Sequence, residues 1–215
     1  MIDKRDFEGL KKELEDYDKA RESVISESRE IIKLSKVIIY AVQREDLNLN
    51  REISEMRKKI IDLRRIKGDL RQEGHYKIAI QEYVEAMTFY EFIKTGKLPT
   101  REDLKVNAED YLMGLTDLTG ELMRKGMNYA IYKRYTDVFR IKELVGEIYY
   151  YFLRLDLRNS ELRKKSDGIK YNLRKLEDVV FELKLREIPL DRAIQSAEVN
   201  SPKKKLLINK TKRKS

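Results

Sequence analysis

Apolar residues recur at helical spacing from the start of the chain: Phe7, Leu10, Leu14, Tyr17, Val24, Ile31, Leu34, Ile38 and Val42. That period predicts one amphipathic helix over residues 4–44, with Asp3 as its N-cap and no proline to interrupt it. A helix of that length is a rod of roughly 60 Å. A small globule has no use for such a rod, whereas a bundle or an oligomer does.

The pattern continues in the same period. Asn50 is placed to cap a second helix through about Gln72, with Ile53, Met56, Ile60, Leu63 and Leu70 inward, until Gly74 breaks it. A third helix spans about His75 to Lys94 and stops at Gly96-Lys97-Leu98-Pro99, a glycine past the last turn followed by proline. Thr100 and Asp103 have the spacing of a capping box with Asp in place of Glu. Asn107 starts a helix through about Lys125 that ends at Gly126. Another covers about Asp137 to Leu155, with Tyr149-Tyr150-Tyr151-Phe152 read as core and helix interface. The last helix follows Leu157-Arg158-Asn159-Ser160 and runs to about Arg186, before Pro189. No strand-type alternation, internal repeat or Pro-rich linker intervenes. The prediction is one all-α domain over residues 1–190, followed by a basic, disordered tail over 191–215.

Composition narrows the chemistry. The 215 residues include no Cys and a single His, His75, so thiolate nucleophiles, Cys-ligated zinc and multi-His metal sites are excluded. Any metal must sit on oxygen, which favours Mg²⁺, with Mn²⁺ as the substitute. The net charge is +9, but residues 201–215 carry seven Lys/Arg and no acid, which leaves only +2 on the rest. The longest apolar runs, Val37–Val42 and Ile148–Leu153, fall far short of the ~20 residues that span a bilayer. The N-terminus is charged and has no signal-type apolar core. The expected setting is soluble and cytoplasmic, with no membrane partner.

Two pairs of acids stand out. The third helix is apolar nearly all round, with a narrow polar strip of Lys77, Gln81, Thr88 and Glu91. Glu82 and Glu85 fall on the opposite side, beside Ile78, Ala86, Phe89 and Ile93. Ionised carboxylates in such surroundings are costly, and at i,i+3 they repel each other. The next helix offers Asp117 and Glu121 on one stripe with Asp110, Gly114 and Arg124. Gly114 leaves room there for another backbone or a substrate. If the two helices face each other, four carboxylates converge and can hold Mg²⁺ and a water, the arrangement that hydrolyses a phosphodiester. The plainer alternatives are a solvated face or buried ion pairs with Arg or Lys. His75, Tyr76 and Lys77 offer phosphate contact and base stacking, or a simple capping and surface role. Arg158, Arg163, Lys164, Lys165 and Lys170 cluster at the start of the last helix, as phosphate contacts or as a solvated basic face. No nucleotide-binding fingerprint is present: the position five before Gly96 is Glu91, not Gly.

Three stretches resemble the translin and translin-associated factor X (Trax) family: Gln81-Glu82-Tyr83-Val84-Glu85-Ala86 with Phe92-Ile93-Lys94 and Lys97-Leu98-Pro99, then Asp110–Arg124, then Leu157–Tyr171. The likeness runs in order over about residues 5–190. It implies a bundle of about seven helices with a long N-terminal helix, assembled into closed oligomers, often octamers. It also implies RNA as ligand, single-stranded or short duplex, with single-stranded DNA as a second polyanion. Trax-type subunits are Mg²⁺-dependent endoribonucleases, and their acidic set corresponds here to Glu82, Glu85, Asp117 and Glu121, as metal ligands and catalytic groups. Translin-type subunits bind nucleic acid without that set. Their basic and aromatic patch corresponds to His75, Tyr76 and Lys77; Arg124, Arg158, Arg163, Lys164 and Lys165 are further expected contacts on the ground of their charge and position alone. A Trax-like acidic set joined to a translin-like C-terminal half resembles archaeal members of the family. The expectation is a homo-oligomer that both binds and cuts RNA, with a non-catalytic RNA- or DNA-binding protein as the alternative.

Overall fold

The computed structural model describes residues 3–66, 70, 74–158 and 160–199, with side chains described through residue 185. Among the described residues seven helices follow one another, α1 (Lys4–Gln43), α2 (Asn50–Arg64), α3 (Gly74–Thr95), α4 (Arg101–Leu104), α5 (Ala108–Ile131), α6 (Tyr135–Leu153) and α7 (Glu161–Val199), and no strand occurs. None of the helices is long and apolar enough to cross a membrane.

The caps explain most of the boundaries. Asp3 Oδ1 accepts from the Arg5 N–H at 2.9 Å, and Asn107 Oδ1 accepts from the Asp110 N–H at 2.8 Å, each satisfying a donor that the first helical turn leaves open. Thr100 and Asp103 form the reciprocal capping box. Gly96 sits at φ +79, the left-handed conformation that ends α3. Asn50 is the first residue of α2 rather than its cap; Leu49 holds that position without a side-chain bond.

The helices pack as a chain of neighbours. α3 lies between α1 and α5, while α5 also touches α6 and α7, which pack on each other; α2 rests on α1. The core runs through Ile31, Ile38, Met56, Met87, Phe89, Leu118, Leu122, Ile141, Ile169 and Leu176. Burial in α1 begins only at Val24. Phe7, Leu10, Leu14 and Tyr17 are exposed although the apolar stripe continues through them, because that half of the rod extends past the body of the bundle.

Four expectations are corrected. α2 stops at Arg64 instead of reaching Gln72, and part of the intervening stretch lies outside the described residues. Gly126 does not end α5; the helix continues to Ile131, and a Cβ at Gly126 would stand 2.6 Å from Leu176 Cδ2 and 3.4 Å from Ile141 Cγ2. The glycine is there for close packing on α6 and α7. α7 passes Pro189 and runs to Val199, since one proline removes a single N–H and bends a helix without having to stop it. In the aromatic run, Phe152 is buried, but Tyr150 and Tyr151 are exposed and meet edge to face at 5.4 Å between centroids. Residues 200–215, the bulk of the tail, lie outside the described residues.

Candidate active site

The site is built where α3 crosses α5. A Cβ on Gly114 would lie 2.5 Å from Val84 Cγ1 and 3.0 Å from the Gln81 carbonyl oxygen, so only glycine permits this approach. The backbone anticipated opposite Gly114 is therefore that of α3. Glu82 and Glu85 follow Gln81 and flank Val84, while Asp117 and Glu121 lie one and two turns beyond Gly114. The crossing thus brings the two pairs into one half-buried patch.

Their electrostatics register that proximity. Burial raises the Glu85 pKa to about 8, helped by the charges of Asp117, Glu82 and Glu121 and opposed by Lys165. Glu82 is raised by burial too; Lys36 and Lys165 oppose the shift, while Asp117 and Glu121 add to it. At neutral pH Glu85 holds its proton, which removes one of the mutually repelling charges. Thr88, expected on the polar strip, is instead fully buried and donates its hydroxyl to the Val84 carbonyl at 2.7 Å, whereas Ile78 on the opposite face is exposed.

The other two acids have protein partners. Lys165 Nζ donates to Asp117 Oδ2 at 2.7 Å. Gln43 Nε2, at the end of α1, donates to Glu121 Oε2 at 2.7 Å and to the Glu121 carbonyl at 2.9 Å, and Arg124 lies 3.5 Å from the same carboxylate. Gln43 is itself anchored. Lys125, 1% exposed, donates from Nζ to the Val42 carbonyl at 3.1 Å and the Gln43 carbonyl at 2.8 Å. Burial lowers the Lys125 pKa, and Glu45 opposes that shift from 3.5 Å.

With Asp117 and Glu121 turned to Lys165 and Gln43, no three acids or histidines among the described residues stand close enough to hold a metal ion as arranged. The donor chemistry nonetheless suits a hard cation. All four groups offer oxygen, the Lys165 ammonium already stands in as a cation at Asp117, and the buried Oε1 of Gln43 accepts no hydrogen bond among the described residues. Asp110, on the same stripe, takes no part: it is buried and accepts from Asn107 Nδ2 at 2.7 Å.

The expected nucleic-acid contacts divide. His75, Arg124, Arg158, Arg163 and Lys164 are exposed, and Lys77 is half-buried. Tyr76 is 9% exposed, which leaves its ring no free face for a base. Lys165 belongs to the carboxylate cluster rather than to the basic face beside it. Gln43, Lys36 and Lys125 escaped the sequence reading. Gln43 lies far from the acids in sequence and carries no motif, but Lys125 left a signal: it interrupts the apolar stripe Leu118, Leu122, Tyr129.

Comparison with known proteins agrees with this architecture. Translin of Gallus gallus is 32% identical over 126 residues, covering 52% of this chain and 55% of that protein, and Homo sapiens translin is 30% identical, covering 58% and 60%. The chain thus matches less than two thirds of the translins' length. Translin-associated protein X of Pongo abelii is 29% identical over 85% of this chain and 79% of its own. The crystal structure of apo-NeC3PO superposes with a TM-score of 0.76 at 28% identity, covering 84% of this chain and 97% of that one. AfC3PO in complex with duplex RNA has the same fold, with a TM-score of 0.73 at 24% identity, covering 85% and 98%. The translin family profile matches residues 19–187, most of the chain and every element of the site, and the chain belongs to the translin family.

Proposed function

We propose that this protein is an endoribonuclease that binds RNA and hydrolyses its phosphodiester bonds at Glu82, Glu85, Asp117 and Glu121. The reading rests on one observation: four carboxylates from two helices meet in a half-buried patch where one of them, Glu85, is pushed up to about 8. Glu82, Asp117 and Glu121 would hold Mg²⁺, or Mn²⁺ in its place. Bound there, the cation would offset charge on the scissile phosphate and make an adjacent water more acidic. Glu85, protonated while no cation is bound, would release that proton under the added positive charge and then orient the water and accept a proton from it. Gln43 holds Glu121, and Lys165 guards Asp117 until the site is loaded. Arg124, Arg158, Arg163 and Lys164 contact the RNA backbone, and the chain works as a closed homo-oligomer, an octamer.

The alternative is a translin-like binding protein for single-stranded RNA or DNA without chemistry. It is favoured by the engagement of Asp117 with Lys165 and of Glu121 with Gln43. A digest of end-labelled RNA, single-stranded and duplex, in Mg²⁺ and in EDTA separates the two. The enzyme reading expects Mg²⁺-dependent cleavage, at least a hundredfold slower in a folded Glu85→Ala protein that still binds RNA. Binding without cleavage in the wild type, or undiminished cleavage by Glu85→Ala, overturns it. Mass by light scattering tests the octamer.

A further inference from the structure

A groove of about 770 Å³ lies along α1. Its rim carries Arg29, Lys33, Lys36 and Arg44, with Tyr40 among them and Asp46 at one end. These positions step by four, three, four and four residues, so at 100° per residue they form one stripe about 22 Å long. None of Arg29, Lys33 and Lys36 forms a salt bridge among the described residues. Like charges one turn apart repel, and among the described residues the row faces only Asp46 at its end and Glu82 beside Lys36. General basicity does not explain it either, because the chain without its last fifteen residues carries only +2.

Two features say what the row is for. Tyr40 is 56% exposed, and the Arg44 guanidinium lies 5.7 Å from its ring centroid, a flat cationic surface on which a base can stack. A positive groove interleaved with an exposed aromatic ring is how proteins track a single strand without reading its sequence. The groove also abuts the carboxylates. Lys36 is the cation that acts most strongly on Glu82, and Gln43, which holds Glu121, immediately precedes Arg44.

We infer that this α1 groove carries the backbone of single-stranded RNA into the carboxylate site, with phosphates on Arg29, Lys33 and Lys36 and a base on Tyr40. The inference rests on the reading of the protein as an RNA-binding enzyme and assigns where its substrate lies. A second copy of the chain, seated on Val37 and Tyr40, is the competing occupant.

The test measures binding of a fluorescein-labelled oligouridine to the full chain in EDTA, from 50 to 300 mM KCl, roughly the range over which phosphate contacts govern affinity. Each lost phosphate contact lowers the slope of log K against log salt by about 0.7, so Arg29→Gln/Lys33→Gln/Lys36→Gln should lose about 2 in slope and at least about tenfold in affinity at low salt. Tyr40→Ala should weaken binding about tenfold at every salt concentration with the slope unchanged. Wild-type affinity and slope in the triple variant, while the wild type binds, overturn the groove and leave the proposed function standing. No binding by the wild type overturns both. A change in solution mass in either variant makes the groove a contact between copies and likewise overturns the inference.

Discussion

Replacing Gly114 by alanine tests whether the close crossing of α3 and α5 creates the site. Two effects compete. Alanine is better than glycine in a helix interior by about 1 kcal/mol. Against that, the new methyl meets Val84 Cγ1 at 2.5 Å, Val84 Cβ at 2.6 Å and the Gln81 carbonyl at 3.0 Å. Carbon atoms prefer about 3.5–4.0 Å, so the helices must part by roughly 1 Å, an overpacking cost of about 1–3 kcal/mol. Gly120 isolates that cost. It lies in the same helix, and a Cβ there meets only Asn172 Nδ2, at 3.9 Å. The propensity gain is shared, so the difference between the two variants is the clash itself. Urea melts at one protomer concentration should place Gly114→Ala about 1–3 kcal/mol below Gly120→Ala, with equal m-values. Gly126→Ala should fall between them, because its nearest neighbour is the flexible Leu176 Cδ2 at 2.6 Å. Parting the helices also separates Glu82 and Glu85 from Asp117 and Glu121, and a misplacement of that size costs about a hundredfold in rate. Equal stability of Gly114→Ala and Gly120→Ala would refute the packing argument. A destabilised Gly114→Ala protein with full cleavage would refute the link from packing to site.

Three further predictions concern the acids and their supports. Glu85 is held near 8 in the folded chain and falls to an ordinary carboxylate value, 4.5, on unfolding. Between those values the folded state binds a proton that the unfolded state has released, so this stabilisation is complete below pH 4.5 and is lost as the pH rises through about 8. In EDTA the wild-type melting temperature should decline from pH 5 to pH 8.5 more steeply than that of Glu85→Gln; parallel curves would contradict the assignment. Lys125→Met keeps the stem of the side chain but leaves the Val42 and Gln43 carbonyls without their donor, at a cost on the order of 2 kcal/mol. Gln43→Leu should keep the fold while releasing Glu121, so kcat falls about tenfold and the Mg²⁺ concentration for half-maximal rate rises, with RNA affinity unchanged. Full activity in Gln43→Leu would remove Gln43 from the site.

The sequence alone determined most of the helices, which are local properties, and it nominated the four acids as candidates from their spacing and a family resemblance. Apolar spacing and caps such as Asp3, Thr100 and Asn107 act within one or two turns, and Glu82 and Glu85 drew notice beside Ala86 and Phe89, although Ile78 on that face is exposed and Thr88 on the opposite strip is buried. Several of its local signals misled. Gly126 looks like a stop and is a packing contact, and Phe7, Leu10 and Leu14 look like core and lie in water, since burial depends on what another segment brings to that face. Only the tertiary structure decided that Gly114 receives α3, that Lys165 pairs with Asp117 and not with the basic face, and that Gln43 reaches Glu121 from 78 residues away. Those contacts depend on how whole helices cross, and a crossing is settled by the fit of many side chains at once, which no single stretch of chain records.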